Sequence, residues 1–410
     1  MTLAVLRERA GARTPRLAEE LRQRDQQSCM SDPAFDRRLL DLAARVAMRS
    51  VGNVEPNPLV GAVAVRWMGS TPEVIGIGHH RRFGEAHAER AALSDCMRRG
   101  HDPRGATVYA TLEPCNHTGK QPPCALGLIE AGVAEVVAAR RDPNPLAAGG
   151  FEALEKAGIR CRVSGDSRAA IALSDPFVKR VKTGLPWVIA KWAQTIDGRV
   201  ATRNGESKWI SGDRSRKRVH RLRARVDAVL TGMGTVLADD PMLTARDVRR
   251  VRRAAMRVVA DTDLDMPETA KLVTTARDLR TIVACSAELA TGEITRAKRQ
   301  RLATAGAVVV GVPTIGERLD LAALLRLLAS EHGVSSVLVE SGPGLLGSML
   351  DADLVDELVV YVAPMMLGDE MARAAAAGRI APTLSMAQRY ELLRAKRIEN
   401  DLEVVYRRRA

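Results

Sequence analysis

Apolar positions along the chain change their period repeatedly. Leu39, Leu40, Ala43, Val46 and Ala47 recur three and four apart, the spacing of one buried helical face. Pro56-Asn57-Pro58 then sets a turn or extended stretch. A β-branched run at 59–65 follows, and 74–78 suits its hairpin partner, which makes 67–73 a long turn. Beyond it the pattern predicts a helix at 86–99, a strand at 107–111, a helix at 123–131 and a strand at 135–139. A short helix at 151–157, a strand at 159–163 and an amphipathic helix at 167–182 complete the series. Strands alternating with helices predict βαβ units and a largely parallel sheet covered by helices.

Thr183-Gly184-Leu185-Pro186 interrupts this series, and a second one begins after it. Its predicted strands lie at 187–193, 226–231, 257–260, 281–284, 307–312, 336–340 and 357–362. Helices at 214–225 and 320–329 separate some of them, and 390–400 with 402–406 reads as a terminal hairpin. The division predicted is an extension over 1–32, one domain over 33–182 and another over 186–410.

Composition narrows the class. The chain has 410 residues, 46% hydrophobic and 27% charged, which excludes wholesale disorder, collagen and coiled coil. No uncharged apolar run approaches the ~20 residues of a membrane helix, so no membrane partner is expected. Aromatic residues are only 3%, which argues against a surface that stacks single-stranded nucleic acid. The net charge of +13 suits nucleic acid or small phosphorylated ligands. Six cysteines are too few for a disulfide scaffold and read as a reduced, cytoplasmic set, some available to a metal. Residues 1–32 are rich in Arg, Ala, Glu and Gln and lack a signal-peptide core. They read as a disordered or weakly helical extension, and a chain beginning at Met30 is expected to fold and keep its activities.

The first chemical signal is His87-Ala88-Glu89 at a predicted helix start, followed by Glu113-Pro114-Cys115 and Pro122-Pro123-Cys124. One imidazole and two thiolates supply three ligands of a tetrahedral zinc, leaving a fourth position for water. Both helix starts favour thiolate and bound hydroxide there. Glu89 is not needed as a ligand and suits a proton carrier beside activated water. His-x-Glu with a later Pro-Cys-x-x-Cys is the zinc-deaminase pattern, here with eight residues between the cysteines. The plainer readings are a zinc held only for stability, or unrelated buried cysteines. Cys29, Cys96, Cys161 and Cys285 read as ordinary small hydrophobes.

The second signal is Ser341-Gly342-Pro343-Gly344-Leu345-Leu346-Gly347 after a predicted strand, a loop able to cradle phosphates at a helix start. A Rossmann domain would carry it after its first strand, so that reading is rejected. A tight strand-to-helix turn remains the plainer alternative.

Taken together, His87-Ala88-Glu89 and the run from Thr111 to Cys124 resemble the deaminase half of the bifunctional riboflavin-biosynthesis deaminase-reductases. Asp142-Pro143-Asn144-Pro145 and Pro56-Asn57-Pro58-Leu59-Val60-Gly61 are similar to segments of the same family. The runs from Lys191 to Arg199, Gly205 to Ile210 and Thr235 to Thr244 resemble its reductase half. The resemblance implies an α/β chain, with a cytidine-deaminase-like three-layer domain followed by a dihydrofolate-reductase-like domain. It implies Glu89 as catalytic residue and His87, Cys115 and Cys124 as ligands of one Zn²⁺ per chain. It also implies Asn57, His80 and Lys120 as contacts to the deaminase substrate. For NADPH it implies Ala193, Trp209, Thr235, Asp239, Thr262, Gly342, Pro343, Gly344, Leu345, Leu346, Gly347 and Ser348. For the reductase substrate it implies Lys191, Ser207, Arg223, Leu243, Arg246 and Glu340. Asn57 as a turn cap, and His80, Lys120, Arg223 and Arg246 as solvated charges, are the bland alternatives.

The function so implied is hydrolytic deamination of 2,5-diamino-6-ribosylamino-4(3H)-pyrimidinone 5′-phosphate by zinc hydroxide. NADPH reduction of the ribosyl group then gives 5-amino-6-ribitylamino-uracil 5′-phosphate. A cytoplasmic homodimer acting on a phosphorylated pyrimidine, not on nucleic acid, is the expectation. A nucleic-acid deaminase is opposed by the long cysteine spacing and the fused second half. A zinc-stabilised nucleic-acid-binding protein would leave Glu89 idle. The resemblance implies a preference for NADPH over NADH, in keeping with the absence of the acidic residue that a Rossmann loop would use to read a ribose diol.

Overall fold

The computed structural model describes residues 33–408, apart from 70, 249, 250, 252, 253, 379 and 380. The extension over 1–32, with Met30 and Cys29, lies outside the described residues. The chain divides between Val181 and Lys182 into two compact units. No helix among the described residues is long and apolar enough to cross a membrane.

The first unit runs α1 (Pro33–Ala47), β1 (Gly61–Met68), β2 (Thr71–His79), α2 (Ala88–Arg98), β3 (Thr107–Ala110), α3 (Cys124–Glu130), β4 (Glu135–Ala138), α4 (Gly150–Lys156), β5 (Arg160–Val163) and α5 (Arg168–Thr183). Its sheet has the order β2-β1-β3-β4-β5. Strands β3, β4 and β5 are parallel, but β1 runs antiparallel to both β2 and β3. The sheet is therefore mixed rather than largely parallel, because a hairpin reverses the chain at one edge. That hairpin also consumes the predicted long turn: Trp67 pairs with Pro72 and Met68 with Thr71. Trp67 is held in the strand by an edge-on contact with Phe35 and by donating Nε1–H to Thr107 Oγ1.

Successive strand residues face opposite ways, and both faces are apolar. Ala62, Ala64, Val108, Val136 and Ala138 pack with Ala92, Leu128, Phe151 and Leu154 on α2, α3 and α4. Val63, Val65, Tyr109 and Val137 pack with Leu39, Leu40, Ala43 and Ala170 on α1 and α5. The result is a helix–sheet–helix sandwich. Buried Asp36 pins α1 to the sheet, accepting hydrogen bonds from Tyr109 Oη and Arg162, while Arg162 also meets Glu135 at 2.9 Å. Such buried charges are tolerable only because each is paired.

In the second unit come β6 (Trp187–Gln194), β7 (Arg199–Ala201), α6 (Asp213–Arg223), β8 (Ala228–Gly232), α7 (Met233–Asp239), β9 (Met256–Ala260), α8 (Lys271–Thr274), β10 (Thr281–Ser286), α9 (Ala287–Thr291), α10 (Arg296–Thr304) and β11 (Val308–Val312). They are followed by β12 (Thr314–Ile315), β13 (Arg318–Leu319), α11 (Leu321–His332), β14 (Ser336–Val339), α12 (Pro343–Asp351), β15 (Glu357–Val362), β16 (Arg373–Ala374), β17 (Tyr390–Ile398) and β18 (Asp401–Arg408). Nine strands form one sheet in the order β11-β10-β9-β8-β14-β6-β15-β18-β17. Only β18 breaks the parallel pattern, antiparallel to β15 and β17. Val188, Leu230, Val258 and Val339 pack under α11 and α12, and Val229, Val259, Val283 and Leu338 fill the other face. In open α/β sheets, ligands gather at the carboxyl ends of such parallel strands. The ends of β6, β8, β9 and β14 do border a cleft here.

Candidate active sites

His87 caps α2 in extended conformation, which turns its ring off the helix and onto the start of α3. Cys115 follows β3 on a loop, and Cys124 is the first residue of α3. The two are tied together, since Ala125 N–H donates to the Cys115 carbonyl. Buried Glu113 fixes the loop from behind by accepting from the backbone of Asp142 and Phe151 and from Arg141. Gly150 lets the Pro114 carbonyl pass where any Cβ would collide with it.

The Nδ1 atom of His87 lies 3.4 Å from Cys115 Sγ and 3.3 Å from Cys124 Sγ. A tetrahedral zinc with ordinary Zn–N and Zn–S lengths would place these atoms about 3.5 Å apart. Donor chemistry and spacing therefore fit the metal, and this is the one such group among the described residues. The Cys124 contact and the His87 imidazole, working against burial, hold the Cys115 thiol down to about 4. The same contact and burial push Cys124 well above the ordinary thiol range. Cys96, Cys161 and Cys285 are unlike them: burial raises these thiols to about 11, 12 and 11.

Glu89 is 3% exposed, and burial, then the charge of Cys115, raises its carboxyl above the usual range. It lines a cavity of about 270 Å³ with His87 and Cys115. Asn57, His80 and Lys120 line the same cavity. His80 Nδ1 meets the Ala86 carbonyl at 3.2 Å and Nε2 meets Asn57 Nδ2 at 3.3 Å. A neutral ring protonated on Nδ1 satisfies both, and burial lowers its pKa accordingly. Lys120 places its ammonium 4.2 Å from the Phe83 ring centre. Sequence reasoning named neither Phe83 nor Phe177 in this wall, and no motif marks them. Asp142 and Asn144 also line it, and both stand in the Asp142–Pro145 segment quoted above without a role.

A larger cleft of about 820 Å³ occupies the second unit. Glu340, just past β14, is its electrostatic centre. Arg223 grips it with two bonds of 2.5 and 2.9 Å, and Lys191 lies 3.4 Å away. Burial opposes ionisation, yet the charges of Arg223 and Lys191 prevail and hold Glu340 down to about 2. Ser207, Leu243 and Arg246 border the same space. Ala193, Trp209, Thr235, Asp239, Thr262, Gly342, Pro343, Gly344, Leu345 and Ser348 line it too. Gly342 caps α12, with Pro343 at its first position, and Gly342 N–H donates to Thr235 Oγ1 at 3.0 Å. Leu346 and Gly347 are placed elsewhere. Leu346 is buried in the core, and Gly347 packs against the backbone of Ala377, leaving no room for a side chain. Arg216, Arg318 and Arg373 also border the cleft, with no sequence motif to mark them, as does Lys208 of the Gly205–Ile210 run.

Comparison with known proteins decides between the readings of this pair of sites. A family model for the cytidine and deoxycytidylate deaminase zinc-binding region matches residues 33–140, and one for the RibD C-terminal domain matches residues 186–404. The riboflavin biosynthesis protein RibD of Haemophilus influenzae is 36% identical over 392 residues, covering 92% of this chain and 97% of that protein. This chain belongs to the RibD family. It is a bifunctional deaminase-reductase of riboflavin biosynthesis. RibD of Escherichia coli is 39% identical over 343 residues, covering 80% of this chain and 87% of that protein. Among solved structures, Acinetobacter baumannii RibD aligns with a TM-score of 0.75 at 33% identity, covering 92% of this chain and all of that one. The Thermotoga maritima diaminohydroxyphosphoribosylaminopyrimidine deaminase/5-amino-6-(5-phosphoribosylamino)uracil reductase aligns at 0.74 and 30% identity, covering 92% and 99%. The three-layer deaminase fold and the following reductase fold are those of the family.

Proposed function

We propose that residues 33–182 deaminate 2,5-diamino-6-ribosylamino-4(3H)-pyrimidinone 5′-phosphate, and that residues 186–410 reduce its ribosyl group to ribityl with NADPH. The observation that carries this reading is buried Glu89 beside the His87, Cys115 and Cys124 set, at a cavity lined by Glu89, His87 and Cys115. A metal held only for stability would not need a buried carboxylate lining a cavity beside it.

In the first unit His87, Cys115 and Cys124 hold one zinc. When bound, zinc supplies the Lewis acidity that makes water a nucleophile near neutral pH. Glu89 takes a proton from the attacking water and delivers it to the leaving amine. A C–O bond forms, the C–N bond breaks and ammonia departs. Asn57 and His80 orient the ring, with the Ala86 carbonyl fixing the His80 tautomer. Lys120, over Phe83, meets the phosphate.

In the second unit NADPH, when bound, would supply a hydride to C1′ of the sugar: the C1′–H bond forms, the C1′–O4′ ring bond breaks, O4′ takes a proton from solvent and NADP⁺ is left. Ala193, Trp209, Thr235, Asp239, Thr262 and the first turn of α12 receive the nucleotide. The Lys191–Glu340–Arg223 network, with Ser207, Leu243 and Arg246, holds the ribose phosphate. A guanidinium suits a phosphate because it offers paired donors.

The protein acts in the cytoplasm as a homodimer. Support comes from the reduced-type cysteines and from the exposed edge strand β17, which carries Leu392 and Leu393 at the surface. The test of the function is ammonia release and NADPH oxidation by the purified protein given the pyrimidine ribotide. Both signals are expected, and the absence of either overturns the corresponding half.

A further inference from the structure

The cations around the large cleft fall into two groups. Lys191 and Arg223 are committed to Glu340, Lys208 to Asp239, and Arg216 to Asp213 and the face of Trp209. Among the described residues, Arg246, Arg318 and Arg373 have no carboxylate within salt-bridge distance, yet each borders the cleft. Asp239 and Glu340 are the carboxylates in the described lining, and both are already paired. The described lining therefore holds unspent positive charge and no free acid.

The three arginines stand in different places. Arg246 follows Thr244, whose carbonyl accepts from Arg223, so it belongs to the Glu340 end. Arg373 lies on β16, paired with β7 and close to Gly205, on the side of Ser207. Arg318 stands apart on β13. The β12–β13 hairpin leaves the carboxyl end of β11, at the opposite flank of the sheet from β15. Its Nη1–H donates to Ser348 Oγ at 3.0 Å, in the second turn of α12, while Ser348 donates back to the Gly344 carbonyl. Ala260, Thr262, Leu319 and Leu321 line the cleft as well. Of these, Ala260, Leu319 and Leu321 give the lining apolar surface against which a purine can pack.

A nicotinamide nucleotide with its reactive ring near Lys191 and Glu340, and its pyrophosphate at the first turn of α12, carries its adenosine toward this flank. A ribose diol is read by a carboxylate, and a 2′-phosphate by a guanidinium. We infer that Arg318, oriented by Ser348, recognises the ribose 2′-phosphate and sets the preference for NADPH over NADH. The inference rests on the cofactor reading above.

The test is nucleotide binding without substrate, followed by NADPH and NADH fluorescence, with adenosine 2′,5′-bisphosphate and ADP as displacing probes. Arg318 is exposed, so Arg318→Gln should leave the thermal melt unchanged. Losing one charge-assisted contact should weaken NADPH and the bisphosphate about 10–100-fold. NADH and ADP binding should stay as in the wild type, and Arg318→Lys should recover part of the loss. An unchanged NADPH:NADH ratio in Arg318→Gln, an equal loss of both nucleotides, or collapse of the ratio in Arg373→Gln instead would overturn the assignment. A wild-type protein that binds neither nucleotide would overturn the cofactor reading itself, and Arg318 with it.

Discussion

Glu340 illustrates how much a single buried group can be asked to do. It is an acid in a low-dielectric cleft, kept ionised by Arg223 and Lys191 at 2.5–3.4 Å. Its carboxyl falls from 4.5 to about 2, so ionisation favours the folded unit. A depressed carboxylate stabilises above its unfolded pKa, and that contribution disappears as pH falls through the folded value. By the same linkage the contribution near neutrality is on the order of 3 kcal/mol. Glu340→Gln should lower the urea midpoint of the second unit at pH 7 and flatten its decline between about pH 4.5 and 2. A mutant whose midpoint still falls over that range as steeply as the wild type would remove Glu340 from the linkage. At this scale the convergence of His87, Cys115 and Cys124 was the most legible feature, since a candidate ligand set is written in residue type and position. Phe83, Phe177 and Arg318 were not, because side chains far apart in sequence acquire a shared wall only through the fold.

Among elements, the segment from β3 to α4 positions the deaminase site as a unit. Glu113 gathers the backbone of Asp142 and Phe151 while Gly150 admits the Pro114 carbonyl, and Cys115 follows directly. Gly150→Ala should push this loop outward and cut zinc content and ammonia release together, with NADPH oxidation by the second unit unchanged. Full zinc occupancy in that variant would show that the loop tolerates the displacement. Several element boundaries followed from hydrophobic period alone, including β3, β4 and β15. The hairpin ends of β1 and β2 did not, because Pro72 and the exposed Met68 look like turn residues until Trp67 is seen anchored to Phe35 and Thr107. The glycine loop shows the same limit. Gly342–Leu345 face the cleft, while the helical turn that follows carries Leu346 and Gly347 into packing. Asp197, in the run from Lys191 to Arg199, accepts from Thr195 Oγ1 and the backbone of Leu367 and Gly368, and so braces the turn after β6.

On the scale of the whole molecule, two units with separate cores carry two unlike sites, one a His–Cys–Cys cluster with a buried carboxylate and the other a wide cleft lined by cations. Their chemistry should therefore separate by mutation within one chain. The most direct measurement takes Glu89→Gln and determines zinc content, ammonia release, and NADPH oxidation with the already deaminated ribosyl substrate. Zinc should stay near one per chain, because all three ligands survive. Ammonia release should fall by about 10²–10⁴-fold or more, the usual worth of general acid–base catalysis, and NADPH oxidation should match the wild type. Wild-type ammonia release from Glu89→Gln would contradict the assignment of Glu89 as the proton carrier, loss of zinc would make it structural, and loss of NADPH oxidation would show that the two halves do not work independently.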